Sequence, residues 1–242
     1  MNIYTFKDEE GFVQTAANQI TSLLNANPYA KLGLATGSTP VGLYNKLIEM
    51  HRQGLVSFAN ATTYNLDEYV GLPKDHAESY RTFMNEKLFN HIDINKEQTH
   101  IPNGNAEDLE DECRSYDRML EQNGPIDIQL LGIGHNGHIA FNEPAESLTS
   151  GTHITTLQAK TREANARFFP SIDDVPTHAI TMGVGSIMKA RQIMMLIRGE
   201  DKAEIAKRAL TGPVSTDCPA SLLQCHPNVI VLLDQGAGRY FK

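Results

Sequence analysis

Between Gly132 and Glu143 the chain reads Gly-Ile-Gly-His-Asn-Gly-His-Ile-Ala-Phe-Asn-Glu, directly after the apolar run Ile126-Asp-Ile-Gln-Leu-Leu131. Glycines let a backbone approach a small ligand, and an imidazole such as that of His138 can move protons at neutral pH. Glu143 follows five positions later as a carboxylate partner. A second acidic pair, Asp67-Glu68, stands after the strand-like run Thr62-Thr-Tyr-Asn-Leu66. A carboxylate there can serve as a general base, and two reactive loops at strand ends predict one shared site for acid–base chemistry on a small polar molecule. Each residue also has a plainer reading: Asp67 as a helix cap, His138 as a structural or exposed histidine, Glu143 as a solvated turn residue before Pro144.

The segment Ala35-Thr-Gly-Ser-Thr-Pro-Val-Gly42 is a second glycine loop, between a strand and a helix. It is not a Walker A loop, because Leu43 and Tyr44 stand where Lys and Ser/Thr would be required. Backbone N–H groups at a helix start, with the Ser38 and Thr39 hydroxyls, nevertheless suit phosphate oxygens. Seen alone, the loop could equally be an ordinary capped turn. A phosphate on a chain of net charge −8 needs local cations, and Arg167 and Lys202 are the candidates. Gly132 to Gly137 formally matches G-x-G-x-x-G but runs into Pro144, which disfavours the helix that a dinucleotide fingerprint should open. His135 and His138 do not read as a metal pair, since Gly137 lies between them and no ligand cluster adjoins. No metal is predicted, and His135 is given no role.

Alternating patterns place these loops. Phe12, Ala16, Ile20 and Leu23 make a helical stripe before the strand candidate Lys31 to Ala35. Thr39 is predicted to cap the next helix, with Pro40 in its first turn and Gly54 at its end. Asn105 is predicted to cap a helix with Glu107 and Asp108 in its first turn and Leu109, Cys113, Tyr116 and Leu120 facing inward. Cys113 therefore reads as core. Further strand candidates run over 126–131, 153–157, 178–182, 192–197 and 228–234. The continuous Ile193-Met-Met-Leu-Ile197 and Val229-Ile-Val-Leu-Leu233 imply burial on both faces. The pattern predicts an α/β, doubly wound, mostly parallel sheet of about seven strands with helices on both faces. With no linker or repeat, one domain over residues 1–242 is expected.

The 21 basic and 29 acidic residues argue against nonspecific nucleic-acid binding and anionic membranes. No apolar run approaches membrane-spanning length, and three scattered cysteines imply no disulfide framework. A soluble, cytoplasmic protein is expected.

Taken together, the chain resembles the glucosamine-6-phosphate deaminase (isomerase) family over nearly its whole length. The resemblance is carried by Leu34-Ala-Thr-Gly-Ser-Thr-Pro-Val-Gly42, Asn65-Leu-Asp-Glu-Tyr-Val-Gly71, Gly134-His-Asn-Gly-His-Ile-Ala-Phe-Asn-Glu-Pro144 and Asn165-Ala-Arg-Phe-Phe169. Related 6-phosphogluconolactonases share the fold and glycine loop but usually carry Asp-Glu-Arg and lack Phe-Asn-Glu-Pro. The resemblance implies conversion of glucosamine 6-phosphate and water to fructose 6-phosphate and ammonia in amino-sugar catabolism, a hydrolase-type deamination without metal or organic cofactor. It makes Asp67 the base for the C2 proton and has His138, oriented by Glu143, assist opening of the pyranose ring. Asn136 stands where some members carry Asp, so its implied role is orientation, since an amide cannot relay a proton as a carboxylate can. Gly37, Ser38, Thr39, Arg167 and Lys202 would hold the phosphate, and the segment around Arg167 resembles a mobile lid.

Longer, hexameric members carry an allosteric phosphate site whose matching positions here are Glu146, Ser147, His153 and Thr155. An acidic residue and the loss of two cations, with the chain ending at Lys242, predict hyperbolic kinetics and a monomer or small homo-oligomer. A lactonase-type hydrolase and a non-catalytic sugar-phosphate sensor are the competing expectations. A sensor would normally add a helix-turn-helix segment, and it has no evident use for Asp67, His138 and Glu143.

Overall fold

The computed structural model describes residues 1–241; Lys242, where the chain was expected to end, lies outside the described residues. In chain order the elements are β1 (Asn2–Phe6), α1 (Glu9–Ala26), β2 (Lys31–Leu34), α2 (Val41–Arg52), β3 (Thr62–Asn65), β4 (Asp67–Tyr69), α3 (Tyr80–Lys87), β5 (Thr99–His100), α4 (Leu109–Asn123) and β6 (Ile128–Leu131). They continue as β7 (His153–Thr156), α5 (Ala159–Asn165), β8 (His178–Thr181), α6 (Val184–Met188), β9 (Gln192–Ile197), α7 (Ala203–Thr211) and β10 (Val229–Asp234). Short 3-10 turns fill several connections.

Seven strands form one parallel sheet in the order β1-β10-β9-β6-β2-β3-β5. Every residue of β6 is buried, and Ile193 to Ile197 are buried without a break. Successive residues point to opposite faces, so unbroken burial means that both faces of the sheet centre are covered. The fold class is therefore the predicted one, but two of the expected strands lie outside the parallel sheet. β7 and β8 pair antiparallel, and β8 pairs antiparallel with β4, in a separate three-stranded sheet of order β4-β8-β7. No residue of β7 is fully buried and Thr156 is exposed, as befits a strand that does not run through the sheet centre. Their places in the large sheet are taken by its two edges, β1, which is largely exposed, and the two-residue β5, which is too short for a repeat to show.

Two expected caps are displaced. α2 begins at Val41 with Pro40 in the capping position and no side-chain cap bond, so Thr39 does not cap it. The helical dihedrals of Pro40 (φ −80°, ψ −6°) continue directly into the first turn. α4 is capped by Asp108, which accepts from the Asp111 N–H at 2.9 Å, rather than by Asn105. Asp108 wins because it stands immediately before the amphipathic repeat, and Glu110, Asp111 and Glu112 then occupy the positive end of the helix. Cys113 faces the core, and burial pushes its thiol up to about 11.

One apolar cluster, from Phe12 and Leu32 to Leu233 and Ala237, packs around the parallel sheet. A smaller one, Tyr69, Phe141, Leu157, Phe169, Val175 and Ala179, joins the antiparallel sheet to the loops that carry the candidate site. Among the described residues, no helix is long and apolar enough to cross a membrane.

Candidate active site

All the candidate residues except Arg167, which follows α5, leave the carboxyl ends of four neighbouring strands. In the sheet these run β9-β6-β2-β3. From β2 the chain proceeds outward to β3 and β5, whereas from β6 it proceeds outward the other way to β9 and β10. The order therefore reverses between β2 and β6, and open α/β sheets bind ligands outside the strand ends at such a point. Gly37, Ser38 and Thr39 follow β2, Asp67 follows β3, the Gly132–Glu143 loop follows β6, and Lys202 follows β9.

Asp67 is buried, with 7% of its surface exposed. Burial first, and the neighbouring Glu68 charge second, push its carboxyl up to about 8. Such a group is a poor surface anion but a strong base once ionised. Glu68 has a different task. Its Oε1 accepts from the Tyr69 and Tyr80 N–H groups, each at 2.9 Å, and its Oε2 accepts from the Arg81 N–H at 3.0 Å. It thus ties the Asp67 strand to the start of α3. Burial raises the Glu68 carboxyl, while these three donors and the Arg81 charge oppose that rise. Glu68→Ala, which strands one buried and two part-buried donors, is expected to destabilise the fold by about 2–4 kcal/mol, measurable by urea unfolding.

The loop after β6 folds back on itself. The Gly134 N–H donates to the His138 carbonyl at 2.9 Å, and the Gly137 N–H to the Gly134 carbonyl at 3.0 Å. A Cβ at position 134 would overlap the His138 ring, so glycine is required there by close approach. The Asn142 N–H bonds the Ile139 carbonyl at 3.1 Å, closing a turn in which Ala140 takes a φ of +50°. That turn returns Glu143 to His138, and His138 Nδ1 lies 3.2 Å from Glu143 Oε2. Asn136 Nδ2 donates to the same oxygen at 2.5 Å, while its Oδ1 accepts from the His138 N–H at 3.2 Å. Burial alone would raise Glu143, but bonds from His138, Thr161 and Asn136 outweigh it and hold the carboxyl below its usual range.

The base and this couple share one anchor. Thr181 is the register partner of Asp67, and its Oγ1 accepts from the Phe141 N–H at 3.1 Å. Beside it, the Met182 N–H bonds the Leu66 carbonyl at 2.7 Å and Asn142 Nδ2 donates to the Met182 carbonyl at 2.8 Å. The Asp67 and His138 loops are therefore fixed to the same end of β8.

The anion-binding candidates also converge. Gly37 has a φ of +89°, a left-handed turn that glycine adopts without strain, just before the uncapped start of α2. Arg167 reaches across from the turn after α5 to place a guanidinium nitrogen 3.5 Å from Ser38 Oγ. Lys202 Nζ donates to the Ile133 carbonyl at 3.0 Å, which brings the β9 loop onto the β6 loop. Burial pushes the ammonium down to about 8; the Asp201 charge opposes this and the Arg167 charge adds to it. A phosphate dianion would restore the proton. Competitive inhibition by inorganic phosphate is accordingly expected to weaken as pH rises above about 8, and to lose that dependence in Lys202→Met. Inhibition constants measured across pH check this.

Sequence reasoning missed several neighbours of the couple: Thr161 and Gln158, which reach it from α5, and Thr181, which braces it. Nothing in a lone Thr or Gln signals such contacts. His135, left without a role, pairs with Asp201 at 2.5 Å on the exposed rim, apart from the His138–Glu143 pair. At the positions matching the allosteric site, Glu146 and Ser147 are exposed, and His153 and Thr155 lie on β7. A separate groove of about 510 Å³, lined by Asp117, Leu120, Pro125, Ile126 and Lys189 among others, includes none of the candidate residues.

The fold and the site together define an open α/β protein with carboxylates, an imidazole and two cations gathered at the switch point of its parallel sheet. The family model of glucosamine-6-phosphate isomerases/6-phosphogluconolactonase matches residues 7–231, and the chain belongs to that family. It is 52% identical over 242 residues to a glucosamine-6-phosphate deaminase of Clostridium perfringens, covering 100% of both chains. A solved monomeric glucosamine-6-phosphate deaminase is 48% identical, with a TM-score of 0.96 over 99% of both chains. A 6-phosphogluconolactonase of Thermotoga maritima, at 22% identity and a TM-score of 0.75 over 96% of this chain and 99% of its own, shares the fold.

Proposed function

We propose that this chain, acting as one domain and as a monomer, deaminates glucosamine 6-phosphate to fructose 6-phosphate and ammonia. The observation that carries the reading is the buried Asp67 carboxyl braced, through Thr181, beside the His138–Glu143 couple. In this reading the phosphate is held by the Gly37–Thr39 turn, Arg167 and Lys202. His138 moves a proton from the anomeric hydroxyl toward the ring oxygen, with its charge supported by Glu143, and the open-chain aldehyde results. Asn136 keeps the imidazole and carboxylate in register. Asp67 then takes the C2 proton; the released electron pair forms the C1–C2 double bond while the C1 oxygen gains a proton. Reprotonation at C1 leaves an imine at C2, to which water adds as ammonia departs. Anchoring at the distant phosphate holds C1 and C2 in place for both steps.

The three free cysteines suit a reducing, cytoplasmic setting. That no Lys or Arg stands among Glu146, Ser147, His153 and Thr155 supports hyperbolic kinetics. The test is release of ammonia from glucosamine 6-phosphate set against acid release from 6-phosphogluconolactone. Ammonia alone is expected; acid release without ammonia would sink the reading.

A further inference from the structure

α5 is a seven-residue helix whose N-terminal side chains serve neighbouring loops rather than the helix itself. Gln158, in the capping position, makes no cap bond. Its Oε1 instead accepts from Asn136 Nδ2 at 3.2 Å, and its Nε2 donates to the Pro144 carbonyl at 3.4 Å. Thr161, one turn in and buried, donates its hydroxyl to Glu143 Oε1 at 2.5 Å. Both oxygens of the Glu143 carboxylate are thereby engaged: His138 and Asn136 on one, Thr161 on the other.

The far end of the same segment faces the anion cradle. Arg167 follows α5 by two residues and approaches Ser38. Between them, Arg162 donates to the Ile172 and Val175 carbonyls at 2.9 and 3.1 Å, binding 159–175 into one unit. One short piece of chain thus touches the phosphate end and the proton-transfer end of the site.

We propose that Thr161, assisted by Gln158, is a positioning residue through which the α5 segment sets the Glu143–His138 couple, so that phosphate capture at Arg167 organises ring opening at the other end. This rests on the roles given above to Arg167, His138 and Glu143. The hydroxyl fixes the carboxylate rotamer and stabilises its charge, while Gln158 holds Asn136 against the same carboxylate.

Thr161→Val keeps the shape and removes the donor. It is expected to lower kcat for ammonia release by ~10- to 100-fold, the range for losing a hydrogen bond to a charged group, with KM changed less than ~3-fold. The acid limb of the kcat–pH profile should move upward, because Glu143 loses a bond that favours its ionised form. Thr161→Ser should restore both. The exposed Gln158→Leu, which does not test the core, should lower kcat by ~3- to 10-fold, as for a neutral hydrogen bond. In a double-mutant cycle, Thr161→Val and Arg167→Ala should fall short of additivity, since either alone uncouples the two ends. A lower kcat with an unmoved acid limb, failure of the Ser variant to recover, or full additivity would overturn the coupling. Should Thr161→Val not fold, a Gln158→Leu variant with wild-type kcat would overturn it equally. Wild-type protein that releases no ammonia would instead refute the functional reading itself.

Discussion

Asp67→Asn is expected to lower ammonia release from glucosamine 6-phosphate by at least ~100-fold, the scale of general base catalysis. The substitution keeps the shape of the side chain and removes its basicity. Its pH behaviour gives a second check. In the free protein Asp67 gives up its proton at about 8, so kcat/KM of the wild type should climb with pH up to that point. The residual activity of the variant should lack that rise. Turnover equal to wild type would take Asp67 out of the mechanism.

Stability should move the opposite way. Asp67 has its folded pKa raised from 3.8 to about 8. Between those values the folded protein retains a proton that the unfolded chain has released, so stability falls as pH rises, and the loss is complete above the folded value. Asparagine carries no such penalty. Asp67→Asn should therefore melt at least ~3 °C above wild type at pH 8, corresponding to roughly 1 kcal/mol, with the difference shrinking toward pH 4. A buried carboxylate that destabilises the fold is what the proposed role of Asp67 as a base would require.

The residues most legible in the sequence were those with unusual company. Glycines packed around a histidine, and an acidic pair after an apolar run, have few structural uses, and the fold does bring Asp67, His138 and Glu143 to the ends of β3 and β6, two parallel strands with only β2 between them. The continuous apolar runs of β9 and β10 gave the parallel sheet, because burial on both faces leaves no room for alternation. The edges were invisible for the same physical reason: β5 spans two residues and β1 is largely exposed. Sheet membership of β7 and β8 depended on pairing partners far away in sequence, which local pattern does not encode. The two caps differ from expectation for separate reasons: Asp108, not Asn105, directly precedes the amphipathic repeat of α4, and the helical dihedrals of Pro40 displace Thr39 from the start of α2. Thr161 and Thr181 were hidden because a buried hydroxyl has no periodicity; each matters solely through a contact made across the site.

His138→Ala should also cost at least ~100-fold, but with a kinetic signature that Asp67→Asn lacks. Aldose phosphates open spontaneously at a slow, fixed rate, and if His138 opens the ring as proposed, a protein without it must draw on that supply. Such a variant keeps Asp67 and can still process whatever open-chain sugar it meets. Its ammonia release should rise with enzyme at low concentration and then level off at the spontaneous opening rate. Asp67→Asn, limited at the proton abstraction that follows, should stay proportional to enzyme over the same range. The two residues sit in loops fixed to the same end of β8, so a shared structural defect would give both variants one behaviour. Strict proportionality in His138→Ala would remove the imidazole from ring opening, whatever the size of its rate loss.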